Sequence, residues 1–233
     1  MINLIWDIDG TLLNTRGLGA TPFCQAFTEY TGKSAVIDKK KLSGFTDFEI
    51  ALSLMRDAGI KEDIELAEKI LLLFSVQLEK TLLKNPPEVL GDVMETLKFT
   101  NRSSQFVNSI GTGNCRNGAI IKLKSAGIYE YFQKSNFHVA TTELWNRDAI
   151  IESASKSGTY SLSLVIGDSP RDISAAHNSN MPVLAIPTGQ HSFEELSNLN
   201  PELILERNWS LSEFRILIQN FLSRRNQFGI PIN

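Results

Sequence analysis

The chain has 233 residues, 42% of them apolar, and a formal charge of −3; that suffices for a core domain with a smaller insertion and gives no long-range attraction for nucleic acid or an anionic membrane, so an anionic ligand has to be held by local groups in a pocket. The two cysteines, Cys24 and Cys115, lie far apart with no metal-binding spacing, which argues against a disulfide framework or zinc site and fits a reducing, cytoplasmic setting. The longest uninterrupted apolar run, Ile70 to Phe74, is too short to cross a bilayer, and no basic leader precedes an apolar segment at the start, so neither export nor membrane anchoring is expected.

In chain order, Ile2 to Trp6 reads as a short buried strand that ends at Asp7, and similar apolar runs recur at 106–110, 162–166, 183–186 and 203–205. From about Gly17 to Asn85 the pattern is helical throughout. Thr21-Pro22 predicts a capped helix start running to Gly32. Thr46-Asp47-Phe48-Glu49 is a capping box whose helix stops before Gly59, and Ala67, Ile70, Leu71, Phe74, Leu78 and Leu82 form one face of a longer helix that Asn85-Pro86-Pro87 ends. The run Lys39-Lys40-Lys41 reads as solvated. After this stretch, helices are predicted at Glu88 to Phe99, Asn114 to Ala126 with Gly127 as its cap, Arg147 to Lys156 and Pro170 to Asn178. Strands alternating with helices predict an α/β fold, a Rossmann-like parallel sheet with helices on both faces and an inserted helical domain.

Three polar clusters fall where a buried strand ends. In "DIDGT", Asp7 and Asp9 project to the same side if the strand persists, at the carboxyl end of the sheet where open α/β folds bind ligands. Two like charges sharing a site require a cation or protons, and an all-oxygen set favours a hard ion such as Mg²⁺; read alone, Asp9-Gly10 is equally a plain turn. In "GDSPRD", Asp168 and Asp172 are four apart at a helix start, which also suits an N-cap with a first-turn acid. In "IGTGN", Thr112, Gly113 and Asn114 bring a hydroxyl and free N–H groups to a helix start, where phosphate oxygens can be held; read alone, Thr112 also suits a plain N-cap.

Together, "DIDGTL", the threonine of "IGTGN" and "GDSPRD", in this order, resemble motifs of the haloacid dehalogenase-like superfamily. The helical insertion after the first motif resembles the C1-type cap of that superfamily, and "TGN" and "AGI" are similar to its phosphoglycolate phosphatase-like branch. The resemblance implies a core of residues 1–16 and 86–233 and a cap of residues 17–85. It implies that Asp7 is a nucleophile that becomes an aspartyl phosphate, and that Asp9 is the acid and base serving the leaving oxygen and the hydrolytic water. It implies Mg²⁺ held by Asp7, the backbone carbonyl of Asp9, and Asp168, with Asp172 close by, and phosphoryl binding by Thr112, Gly113 and Asn114.

The superfamily's third motif supplies a positive side chain, usually lysine, and here the corresponding residue is Arg147, which otherwise reads as a surface ion pair. Arginine can fork onto two oxygens but is broader and more rigid. Arg16, Phe45, Thr46 and Asp47 are the substrate-contact candidates, with Thr46 equally explained by its capping role. The expected activity is Mg²⁺-dependent hydrolysis of a small phosphorylated metabolite by a monomer or homodimer. Alternatives are a phosphosugar mutase or other phosphotransferase, a phosphate-binding protein with little turnover, and a phospho-accepting signalling domain. Cys115 reads as packing, and His138, His177 and His191 show no partnered spacing.

Overall fold

In the computed structural model, residues 1–38, 42–133 and 136–228 are described; the lysine run 39–41 lies outside the described residues. The strands are β1 (Ile2–Trp6), β2 (Leu13–Asn14), β3 (Glu88–Val89), β4 (Phe106–Cys115), β5 (Phe137–Ala140), β6 (Leu162–Gly167), β7 (Val183–Ala185) and β8 (Leu203–Ile204). The helices are α1 (Ala20–Thr31), α2 (Asp47–Asp57), α3 (Ile64–Lys84), α4 (Val93–Arg102), α5 (Arg116–Ser125), α6 (Arg147–Ser155), α7 (Pro170–Asn178), α8 (Phe193–Ser197) and α9 (Leu211–Phe228).

Six strands make one parallel sheet in the order β5-β4-β1-β6-β7-β8. β1 is buried along its whole length because both faces are covered: Leu4 and Trp6 enter one apolar layer with Leu97 and Phe214, whereas Ile5 enters the other with Ile151, Val165 and Ile173. That is the two-residue alternation of a central strand. From β1 the chain builds outward to β4 and β5, then returns to β6 on the other side. The strand order therefore reverses at β1, and the carboxyl ends of β4, β1 and β6 open on one crevice.

The described elements between residues 17 and 85 are helices, as expected, with α1, α2 and α3 closing on Phe23, Phe27, Met55, Ile70 and Leu78. The same apolar cluster takes in Cys115, Ala140 and Ile150 from the sheet side, so the helical segment rests directly on the carboxyl end of the sheet. The chain enters and leaves this segment through a two-stranded ribbon, Leu13 opposite Val89 and Asn14 opposite Glu88.

Several boundaries differ from expectation. α1 starts at Ala20 with Gly19 ahead of it and no side-chain cap; Pro22 is tolerated because a first-turn N–H has no helical partner to lose. Glu88–Val89 is strand, not helix, and α4 begins only at Val93 after Gly91 turns the chain at φ +40°. β4 runs on through Thr112 to Cys115, pairing with β5 across an irregular register, so α5 starts at Arg116. β5, α8 and α9 were not predicted from the pattern.

Candidate active site

β1 ends at Trp6, and its last parallel contact continues into the backbone hydrogen bond from Asp7 N–H to the Ile166 carbonyl, 2.9 Å. The chain then folds back sharply: the Leu12 and Leu13 amides both donate to the Ile8 carbonyl, and Gly10 takes φ +81°, a conformation that costs glycine little. Gly10 also lies against Asp168, where a Cβ would collide with the carboxyl. The turn is fastened from three sides. Thr11 Oγ1 donates to Asp168 at 3.3 Å, Thr188 Oγ1 to the Gly10 carbonyl at 2.5 Å, and Trp209 Nε1 to the Thr11 carbonyl at 2.6 Å.

Asp7, Asp168 and Asp172 are all buried, and one oxygen from each lies within 4.8 Å of the others. Their shared counter-charge is Arg147, whose Nη2 is 2.9 Å from Asp7 Oδ1 and also pairs with Asp172, which accepts from Nε at 2.9 Å as well. Arg147 is buried at the first position of α6. This is no surface ion pair: the guanidinium forks between two aspartates of different motifs. Burial pushes the Asp7 carboxyl up to about 6, more than Arg147 lowers it, and burial together with Asp172 and Asp7 holds Asp168 well above the usual carboxylate range. Burial opposes the Arg147 charge, yet Asp172 and Asp7 outweigh it and raise its pKa.

Three buried carboxylates with one guanidinium leave an excess of negative charge, and an oxygen-only donor set suits a hard divalent cation. The cluster thus fits the metal that the motifs imply. Asp172 is the most occupied of the three: its Oδ2 accepts from the Ser169 N–H at 3.1 Å and hydroxyl at 2.7 Å, closing the capping box of α7, and its Oδ1 accepts from Arg147. The N-cap of α7 is therefore Ser169 and not an aspartate, while Asp172 is the first-turn acid that was expected.

Asp9 lies apart from that trio. Its Oδ2 accepts from Lys122 Nζ at 2.5 Å and from Asn114 Nδ2 at 2.8 Å. Asn114 Nδ2 also reaches Thr112 Oγ1 at 2.9 Å, and the Thr112 hydroxyl hydrogen-bonds Asp7. Thr112, Asn114, Asp7 and Asp9 therefore belong to one polar chain across the ends of β1 and β4. Gly113 sits where α2 begins; a Cβ there would stand 2.9 Å from Thr46 Cα, so only glycine lets the two segments meet.

A cavity of about 350 Å³ opens over these groups, lined by Asp7, Asp9, Gly113, Lys122, Arg147 and Asp168 on the sheet side and by Phe23, Ile50 and Phe74 from the helices. Phe45 and Asp47 also line it; Asp47 Oδ2 accepts the Cys115 N–H at 2.8 Å. Thr46 is fully buried, caps α2 through the Glu49 N–H, and donates to the Trp145 carbonyl at 2.5 Å. Arg16 is held at the ribbon, with φ +53° and its Nη2 on the Pro86 carbonyl at 2.9 Å; neither residue is among those lining the cavity. Cys115 is buried and its thiol pushed up to about 12, chiefly by burial, which leaves it inert as the packing reading expected. His191 is partnered after all, by Ser43 at 3.2 Å.

Lys122 is the site residue that motif reading missed. Its signal was present: in "NCRNGAIIKL" it is three and four residues after Ala119 and Gly118 and next to Leu123, on the buried stripe of α5, where a lysine requires a partner.

Residues 4–186 match the family described as haloacid dehalogenase-like hydrolase, and the chain belongs to that family of hydrolases. No curated protein matches it. Solved structures share the fold at low identity. A predicted phosphatase from Clostridium acetobutylicum is 19% identical, with a TM-score of 0.67 over 94% of this chain and 98% of that one. A predicted phosphoglycolate phosphatase from Haemophilus somnus is 20% identical, with a TM-score of 0.61 over 88% and 92%. A β-phosphoglucomutase from Clostridium difficile is 16% identical, with a TM-score of 0.63 over 96% and 100%. Among the described residues no helix is long and apolar enough to cross a membrane.

Proposed function

We propose that the protein is a Mg²⁺-dependent phosphatase of a small phosphomonoester, acting through an aspartyl phosphate on Asp7, with residues 17–85 as a cap over the core of residues 1–16 and 86–233. The observation that supports this reading best is the different company kept by two carboxylates from one strand end. Asp7 is buried with Arg147, Asp168 and Asp172, while Asp9, its side chain 40% exposed, is held by Lys122 and Asn114. Such a division separates a nucleophile from an acid and base.

With a pKa pushed up to about 6, Asp7 is ionised at neutral pH and able to attack phosphorus. As the Asp7 O–P bond forms, the P–O bond to the alcohol breaks and a proton passes from Asp9 to the leaving oxygen. Water then attacks the same phosphorus, its proton returns to Asp9, and Asp7 is released with inorganic phosphate. Arg147 faces the charge that gathers on the transferring oxygens, and Thr112 and Gly113 border the place where they would sit. A Mg²⁺ ion held by Asp7, Asp168 and the Asp9 carbonyl, with Asp172 alongside, would offset the repulsion between carboxylate and phosphate dianion. Closure of the apolar face carrying Phe23, Ile50 and Phe74 would keep bulk water out. The fold shared with proteins described as phosphatase and phosphoglucomutase is consistent with this chemistry.

The test is release of inorganic phosphate from p-nitrophenyl phosphate and from a panel of phosphoglycolate, sugar phosphates, nucleotides and pyrophosphate, with Mg²⁺ and with chelator. Metal-dependent release is expected. Equal rates in chelator and in Mg²⁺ would reject the reading. Tight binding of phosphate without product would favour a binding protein instead, a reading that the grip of Arg147 on Asp7 itself recommends. Isomerised sugar phosphate in place of inorganic phosphate would mean a mutase.

A further inference from the structure

Lys122 carries a buried positive charge that none of the recognised motifs contains. It stands nearly two turns into α5, and because helical side chains slant toward the N-terminus, its stem runs back to the carboxyl end of β4. Gly118, one turn earlier, keeps that corner open: a Cβ there would come 3.2 Å from Cys115 Sγ and 3.6 Å from Asp47 Oδ2. The ammonium ends between Asp9 Oδ2 and Asn114 Oδ1, 2.5 Å from each. Burying a lysine costs several kcal/mol unless its partners compensate, and here the two within hydrogen-bond distance are Asp9 and Asn114, the second of which itself donates to Asp9 Oδ2 at 2.8 Å.

We infer that Lys122 is a positioning residue for leaving-group protonation: it grips Asp9 by Oδ2 so that the other oxygen, Oδ1, is presented to the ester oxygen. The inference rests on the phosphatase reading of Asp7 and Asp9. In the first step the Oδ1 proton moves to the ester oxygen while the P–O bond breaks and the Asp7 O–P bond forms; the carboxylate left on Asp9 remains paired with the Lys122 ammonium, which keeps its own proton. In the second step the attacking water returns a proton to Oδ1. A lysine serving in this way matters only where the departing oxygen is basic, so the site is built for alcohol esters and not for leaving groups that depart unprotonated.

The experiment is kcat/KM for phenyl, p-nitrophenyl and 2,4-dinitrophenyl phosphate, which have similar shape and increasingly stable leaving groups, in wild type, Lys122→Met and Lys122→Arg. Removing an aligned acid costs about 100-fold or more where the proton is needed. Lys122→Met is therefore expected to lose about that factor on phenyl phosphate and to leave 2,4-dinitrophenyl phosphate nearly unchanged, steepening the dependence on leaving-group basicity, and Lys122→Arg recovers most of the loss. Each comparison is a ratio measured on one sample, so an unfolded fraction cancels. The same loss on all three esters, or no loss on any, overturns the role of Lys122 while the phosphatase reading stands. A wild type that hydrolyses none of the esters overturns both.

Discussion

Replacing Asp7 by asparagine is expected to abolish turnover, with a loss on the order of 10⁴-fold or more, the scale that accompanies removal of a covalent nucleophile, while the fold survives. The same change has an opposite effect on stability, and the sign follows from burial. Asp7 binds its proton more tightly in the folded chain, at about 6, than at the ordinary 3.8. Between those values the folded state holds the extra proton, so ionising Asp7 costs stability that is absent below about 3.8 and fully present above about 6. The cost is roughly 3 kcal/mol at most. In the metal-free protein at pH 8, Asp7→Asn is thus expected to melt above wild type, with the gap closing as the pH falls through 6 toward 4. A variant that is both inactive and less stable at pH 8 would show that Arg147, and not burial, dominates the energy of Asp7.

Arg147→Ala carries the largest expected loss of stability. The guanidinium is buried and is the shared counter-charge of Asp7 and Asp172, with Asp168 alongside. Removing one partner of a buried charge cluster leaves the others uncompensated, at about 3–5 kcal/mol, which for a chain of this size lowers the melting temperature on the order of 10 °C. Two conditions should return part of that loss. On the proposed reading millimolar Mg²⁺ would supply the missing positive charge, and lowering the pH protonates Asp7, whose carboxyl burial already raises and which rises further once Arg147 no longer lowers it, so that it destabilises less as it gains its proton. Arg147→Lys keeps the charge but cannot fork, so it is expected to fall between wild type and alanine. Melting of Arg147→Ala indistinguishable from wild type, with and without Mg²⁺, would place the guanidinium outside the energetics of the site.

The sheet was legible because its central strands carry a signal that a single sequence contains: a short apolar run on both faces, ended by a charged or glycine residue, as in Ile2 to Trp6 followed by Asp7 or Leu162 to Ile166 followed by Gly167-Asp168. α2 was legible for a different reason, since Thr46–Glu49 closes a reciprocal cap within four residues, and α7 because Pro170 opens it, although its cap is Ser169 and not the aspartate expected. Where structure depends on distant partners, the pattern was silent. Phe137–Ala140 is a four-residue strand that among the described residues pairs with β4 alone, and Glu88–Val89 is strand because Leu13–Asn14 lies opposite it. α9 joins the fold through Phe214, which packs on Trp6, and Trp209 just ahead of it packs on Trp6 as well and props the turn after β1 through the Thr11 carbonyl.

The site divides along the same line. Asp7, Asp9, Thr112 and Asp168 sit at strand ends, where the topology itself brings them together. Arg147 was located, but its forked contact with Asp7 and Asp172 arises from the packing of α6 against α7. Arg16 and Thr46 carry polar side chains suited to a ligand, yet one is held by the ribbon at Pro86 and the other by the α2 cap and Trp145. Lys122 was overlooked because a lysine within a helix reads as solvated until its burial is known.

The most direct measurement of the central claim is rapid acid quench of wild type during turnover of p-nitrophenyl phosphate, followed by peptide mass spectrometry. The account predicts a phosphoryl adduct on the peptide containing Asp7, present only during turnover and missing from Asp7→Asn. Turnover at full rate with no adduct on that peptide would contradict it.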